Sequence, residues 1–119
     1  MSERLAAAEE ALIDGGPYAL RRASWLTRIA LEKVIDKLLA AKGFGSSKII
    51  GDNYKAKLQC LTGFYADNLD IPAKVSFAWE QLSTACHQHA YQLSPTLGEV
   101  KHNIELVREL EAIVEAQIT

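Results

Sequence analysis

The chain has 119 residues, of which 49% are hydrophobic and 24% are charged, so a single domain over residues 1–119 can form its own core. Its formal net charge is −2, which excludes the overall basic excess that dedicated nucleic-acid binders usually carry. Two cysteines without a CxxC pair argue against a disulfide framework, and no apolar stretch approaches the roughly 20 residues of a membrane span. We therefore expect a cytoplasmic protein that does not enter a membrane.

A short amphipathic helix is predicted over residues 2–14. Ser2 can cap its start, and Gly15 and Gly16 can end it because glycine accepts the left-handed backbone conformation. The apolar residues of this helix, which form a modest stripe, are Leu5, Ala8, Leu12 and Ile13.

The second predicted helix has the strongest apolar pattern in the chain. Pro17 lies in its first turn, where a missing N–H costs nothing, and Gly43 ends it. Its apolar stripe is too wide for a single neighbour, so we expect this helix to pack on two sides. The stripe comprises Leu20, Trp25, Leu26, Ile29, Leu31, Val34, Ile35, Leu38 and Leu39.

Three further helices are predicted after a loop at residues 43–52. They cover residues 53–65, 72–93 and 97–117, and the segment Thr96-Leu97-Gly98-Glu99 has the capping-box pattern that begins a helix. Together the elements predict an all-α fold, an antiparallel bundle of about five helices. The expected core positions of these three helices are Tyr54, Leu58, Leu61, Tyr65, Val75, Ala78, Trp79, Leu82, Cys86, His89, Leu93, Val100, Ile104, Val107, Leu110 and Val114.

The fourth predicted helix carries a cysteine and two histidines near its end. Cys86 and His89 are three residues apart and share one face of the helix, whereas His87 is rotated away by about 200°. A sheltered imidazole here could serve in catalysis, and His89 and His87 are the candidate catalytic residues. The alternative interpretation is a small buried cysteine, a core histidine bonded to a carbonyl, and an exposed His87.

The sequence predicts no metal and no cofactor. A structural zinc site needs four N or S ligands, usually in two separated pairs, and Cys60 and His102 do not complete such a pattern. The segment 43–48 has the composition of a phosphate-binding loop, but it follows a helix and lacks the Gly-Lys-Ser/Thr order. We interpret it as the end of a helix followed by a loop.

Basic residues recur along the second predicted helix. Arg21 and Arg28 are seven residues apart and share a face, and Arg28 and Glu32 have the i,i+4 spacing of an ion pair. The simpler interpretation is a solvated helix face. The alternative is a short basic strip that binds RNA through Arg21 and Arg28.

The second helix resembles the corresponding helix of the HEPN superfamily over residues 28–39. The positions that match are Arg28, Ala30, Glu32, Lys33 and Leu38. Residues 82–91, Leu-Ser-Thr-Ala-Cys-His-Gln-His-Ala-Tyr, resemble a motif of small bacterial HEPN-like proteins. The order of the helices is similar as well, so the resemblance covers most of the chain and implies a helical bundle that forms a homodimer.

The resemblance also implies how a ribonuclease of this superfamily would work. Such enzymes use an arginine followed, four to six residues later, by a histidine: the histidine acts as acid or base and the arginine steadies phosphate charge. In this chain Thr84 stands five residues before His89, where an arginine would complete the pair. The histidine half of the motif is present and the arginine half is missing.

Two classes of function follow from these observations. We favour a non-catalytic interaction module, an accessory or neutralising component of a bacterial toxin–antitoxin or defence system with a protein partner from a neighbouring gene. The alternative is a metal-independent endoribonuclease that uses His89 and an arginine from elsewhere, such as Arg28, on RNA.

Overall fold

Five α-helices account for most of the residues that the computed structural model describes, which are 3–43, 54–86 and 96–118. In chain order they are α1 (Glu3–Asp14), α2 (Ala19–Ala41), α3 (Tyr54–Phe64), α4 (Asp70–Cys86) and α5 (Leu97–Ile118). No strand occurs within these ranges. The predicted all-α bundle of about five helices is therefore confirmed, whereas most of the predicted loop and the end of the fourth predicted helix lie outside the described residues.

The helix ends follow the turn chemistry of the sequence. Gly43 follows the end of α2 with a φ of 80°, and its N–H donates to the carbonyl of Ala40 over 2.9 Å. At the start of α5, the N–H of Glu99 donates to Oγ1 of Thr96 over 3.1 Å. The Thr96 hydroxyl in turn donates to the Glu99 carboxylate, so the predicted capping pair is present.

Helix α2 is the centre of the bundle, because it packs against all four of the other helices. Its wide apolar stripe makes this possible, as expected, since a stripe of that width can serve neighbours on two sides. Small residues, including Ala23 and Ala30, are buried on α2 along with the larger aliphatic ones. The larger buried side chains of α2 are Leu31, Val34, Ile35, Leu38 and Leu39.

The seams predicted for the last two helices are confirmed wherever the structure describes them. On α4, Val75, Ala78 and Leu82 are buried and Trp79 packs against the core. All five predicted positions of α5 are buried, namely Val100, Ile104, Val107, Leu110 and Val114. These helices close the bundle on α2 and against each other.

Two predicted core residues are exposed. Trp25 is 55% exposed and Ile13 is 83% exposed. On α2 the buried positions at this level are Ala23, Ser24 and Thr27, which lie on the side of the helix away from Trp25. Apolar identity alone therefore assigned Trp25 to the wrong face, because small and weakly polar residues occupy the contact face.

Candidate functional site

An exposed patch of two aromatic rings and two arginines lies at the beginning of α2. Tyr18, Arg21, Arg22 and Trp25, which we call the α2 patch, line one shallow pocket of about 330 Å³. Their spacing of three, one and three residues places them on a single helix face. The aromatic members are unusually open to solvent, since Tyr18 is 68% exposed and Trp25 is 55% exposed.

The arginines of the α2 patch carry charge that the described residues do not neutralise. The ion pairs found among those residues use Arg28, Lys57, Lys74 and Arg108 as cations. The first turn of α2 contains no acidic residue, and Tyr18 provides no side-chain cap. Cations at a helix start oppose the helix dipole and are unfavourable by about 0.3–1 kcal/mol each. Arg21 and Arg22 therefore do not stabilise α2 through its dipole.

Arg28 lies in a different environment from Arg21. Its Nε is 3.6 Å from Oε2 of Glu32, which confirms the ion pair that the spacing predicted. Its guanidinium carbon lies 4.8 Å from the centre of the Trp79 ring on α4, within the range of a cation–π interaction. Arg28 therefore helps to hold α4 against α2, whereas Arg21 lies in the open α2 patch.

Arg28 belongs to a polar and aromatic cluster where α2, α3 and α4 meet. We call it the three-helix junction, and it consists of Arg28, Asp36, Tyr54, Lys57 and Trp79. The rings of Tyr54 and Trp79 stack with their centres 5.2 Å apart. Nζ of Lys57 lies 4.2 Å from the centre of the Tyr54 ring and 2.8 Å from Oδ1 of Asp36.

Lys57 is the unexpected member of this junction. Its side chain is only 1% exposed, whereas that of Asp36 is 35% exposed. The hydroxyl of Tyr54 donates to Oδ2 of Asp36 over 3.2 Å, so both carboxylate oxygens are engaged. A buried ammonium with a carboxylate partner and an aromatic ring is well satisfied. We assign the junction a structural role, because its charges already have partners: Lys57 pairs with Asp36, and Arg28 pairs with the neighbouring Glu32 and lies against the Trp79 ring.

A second depression lies between α1 and α5. Its apolar lining includes Leu12, Ile13 and Leu97, and its volume is about 450 Å³. Arg108 bridges the two helices by pairing with Glu9 of α1 and Glu105 of α5. Two of the charged residues that line this depression, Glu9 and Glu105, are therefore already used in holding α1 to α5.

The histidines predicted as catalytic residues, His87 and His89, lie outside the described residues, and so does the side chain of Thr84. His102 is exposed on α5, and Cys60 is a free, half-buried cysteine on α3. Within the described ranges, no group of three His, Cys, Asp or Glu side chains is placed to hold a metal ion. None of the helices in those ranges has the length and apolar character needed to cross a membrane.

Comparison with known proteins finds no family, no curated protein and no solved structure that matches this chain. The sequence had already singled out Arg21, but it assigned Trp25 to the core and gave Arg22 and Tyr18 no role. The signal that could have found them was the i, i+3, i+4, i+7 spacing from Tyr18 to Trp25 on one face.

Proposed function

We propose that this protein is a non-catalytic interaction module that binds a protein partner through the α2 patch. The observation that carries the proposal is the placing of an exposed Trp, an exposed Tyr and two Arg side chains around one pocket. Trp, Tyr and Arg are the residues most enriched among the energetic hot spots of protein interfaces. Single exposed apolar residues are ordinary, whereas this combination on one face is typical of a binding surface.

The resemblance to the HEPN superfamily suggests the setting in which such a module would work. A chain that resembles these proteins but has Thr84 in place of the arginine fits an accessory or neutralising component of a bacterial toxin–antitoxin or defence system. The partner would then be the product of a neighbouring gene. The net charge of −2 supports a protein partner over a nucleic acid.

Co-purification with the products of the adjacent genes tests the proposal. Each product is co-expressed with the tagged chain as wild type, as Trp25→Ala and as Phe77→Ala, which removes another exposed aromatic residue. We expect one product to be retained by wild type and by Phe77→Ala, and to be reduced at least about tenfold by Trp25→Ala, the loss of one hot spot. The proposal would be ruled out if all three proteins retained the gene product equally, or if none of them retained any product.

The same resemblance suggests a homodimer. The chain has a mass of 13.1 kDa, so a dimer is separated clearly from a monomer by light scattering. We expect twice the monomer mass at tens of micromolar protein. A monomer at that concentration would contradict the homodimer and leave the α2 patch untouched.

Ribonuclease activity is the outcome that would replace this proposal. Purified wild type and His89→Ala are incubated with mixed RNA without metal, since the HEPN reaction does not need one. We expect no cleavage above the buffer control by either protein. Cleavage by wild type that disappears in His89→Ala would show that the protein is an enzyme after all.

A further inference from the structure

We propose that the partner segment bound by the α2 patch is acidic, with one or two carboxylates on Arg21 and Arg22 and an apolar side chain between Tyr18 and Trp25. This inference rests on the proposed function and specifies its partner. It commits to the chemistry of an acidic peptide, and a nucleic-acid strand is the competing occupant that the test must exclude.

Charge complementarity is the first argument. Neither Arg21 nor Arg22 belongs to an ion pair found among the described residues, and both flank the pocket lined by Tyr18 and Trp25. A guanidinium presents several N–H donors in a plane, which match the two oxygens of a carboxylate. Beside aromatic rings such a pair is partly shielded from water, so it is stronger than an ordinary surface ion pair.

The dipole of α2 adds to this preference. The helix begins at Ala19 with no acidic residue in its first turn, so the two arginines face the positive end of the dipole without compensation. A carboxylate from a partner would offset both the arginine charges and the dipole. Bound partner and helix would thereby stabilise each other.

The length of the basic surface on α2 argues against a nucleic acid. Beyond Trp25 the next cation is Arg28, which is held by Glu32 and Trp79. The next exposed cation on α2 is Lys33, eleven residues beyond Arg22 and so about 16 Å further along the helix. A protein that holds a nucleic acid through about 6–10 phosphate contacts needs a comparable number of suitably placed cations or other donors. The α2 patch offers two cations, which suit a short acidic determinant better.

Nuclear magnetic resonance titration provides the test, because it detects weak binding and locates it. The labelled protein is titrated at low salt with three probes: a short peptide of Glu, Asp and Leu, the same peptide with Lys in place of its acidic residues, and a short single-stranded RNA. We expect the acidic peptide alone to shift the indole signal of Trp25 and the side-chain signals of Arg21 and Arg22.

Two charge reversals on the same helix separate a specific site from general attraction. Arg21→Glu/Arg22→Glu is expected to weaken the acidic peptide at least about tenfold, whereas Lys33→Glu/Lys37→Glu, which changes the net charge equally, leaves it within about twofold. Far-ultraviolet circular dichroism is used to check that both variants keep the helical content of wild type. The charge-conserving Arg21→Lys/Arg22→Lys protein is expected to bind more weakly than wild type, because lysine lacks the planar fork.

The possible results each decide the matter. Equal weakening by both reversals means attraction to net charge and overturns the inference, and so does stronger binding of RNA at the same residues. Absence of any shift with the acidic peptide also overturns it. If a co-expressed partner nevertheless depends on Trp25, the proposed function stands without the acidic specificity, so the two claims fail separately.

Discussion

The hydroxyl of Tyr65, which directly follows α3, caps the carboxyl end of α2. It donates to the carbonyl of Leu38 over 2.7 Å, and the carbonyls of the last turn of a helix have few partners of their own. The ring is 1% exposed, and Nζ of Lys42 lies 4.8 Å from its centre. Burial raises the pKa of Tyr65 above 10.0, and the negative charge of Asp67 raises it further.

Replacing Tyr65 with Phe is expected to lower the free energy of unfolding by about 1–2 kcal/mol at neutral pH, because the Leu38 carbonyl loses its buried donor. The raised pKa fixes the sign of the pH dependence. The folded state holds the phenol proton more tightly than the unfolded chain, so this stabilisation is complete below pH 10.0 and is lost as the pH rises through the folded-state pKa.

Urea unfolding of wild type and Tyr65→Phe at neutral pH and above pH 10.0 measures both effects. The difference between the two proteins is expected to shrink at the higher pH. Tyr18→Phe, which alters a largely exposed tyrosine, is the control and is expected to leave stability unchanged. Equal stability of wild type and Tyr65→Phe at neutral pH would contradict the capping role.

The pair formed by Lys57 and Asp36 predicts an asymmetric response to mutation. Asp36→Asn leaves an ammonium buried at 1% exposure without a countercharge, so we expect a loss of about 3 kcal/mol in the free energy of unfolding. Lys57→Met removes the buried charge and leaves a carboxylate that is 35% exposed to water, so we expect a loss of about 1 kcal/mol or less. Chemical denaturation of both variants measures these losses. A Lys57→Met protein that is less stable than Asp36→Asn would refute this account.

Residue identity predicts burial well for aliphatic side chains and poorly for amphipathic ones. Leu31, Val75 and Leu110 were expected in the core and are there. Lys57 is buried and Trp25 is exposed, the opposite of what their polarity suggests. Lys57 contacts a carboxylate and an aromatic ring inside the junction, while Ala23 and Thr27 occupy the contact face of α2 on the side opposite Trp25. These outcomes depend on partners from other helices, which the periodicity of one helix does not contain.

At the scale of a helix, the arginines of the α2 patch are expected to lower the stability of α2 while they contribute to the proposed binding. Arg21→Glu/Arg22→Glu replaces two cations at the positive end of the α2 dipole with anions, so we expect the free energy of unfolding to rise by about 1–2 kcal/mol at low salt. Thermal and urea unfolding at low and high salt measure the gain, which should shrink as salt screens the charges.

The matched protein Lys33→Glu/Lys37→Glu changes charges in the second half of the same helix, outside its first and last turns. It should show no such stabilisation, because the dipole acts within the first and last turns. If the Arg21→Glu/Arg22→Glu protein were less stable than wild type, the two arginines would be making contacts that support the fold. A more stable protein that no longer binds the acidic peptide is the result expected of a surface selected for recognition.

The limits of the helices could largely be predicted from the sequence, since glycine, proline and the capping pair mark them locally. The start of α4 differs: it begins at Asp70, so that Pro72 lies inside the first turn and is buried. Proline is tolerated there because the first N–H groups of a helix have no intrahelical acceptor. Pro17, which was predicted in the first turn of α2, lies two residues before its first residue, Ala19. A proline therefore indicates that a helix begins nearby without fixing its first residue.

For the whole molecule, the class of fold followed from the sequence, whereas the α2 patch, the proposed binding surface, did not. Five periodic segments predict a helical bundle because each must bury its apolar side. A surface site depends on what the fold leaves uncovered. The sequence joined Arg21 to Arg28 by their spacing, whereas the folded chain draws Arg28 against Trp79 and leaves Arg21 beside Trp25.

The two tryptophans of the chain also form a pair of fluorescent reporters with different targets. Trp79 is stacked on Tyr54 inside the three-helix junction, whereas Trp25 is 55% exposed to solvent. Iodide should quench the emission of Trp25 more efficiently in wild type than in Arg21→Glu/Arg22→Glu, because the arginines of the α2 patch concentrate anions around that indole. Trp79 should respond mainly when the junction comes apart. One unlabelled sample can therefore report occupancy of the surface at one indole and loss of tertiary packing at the other.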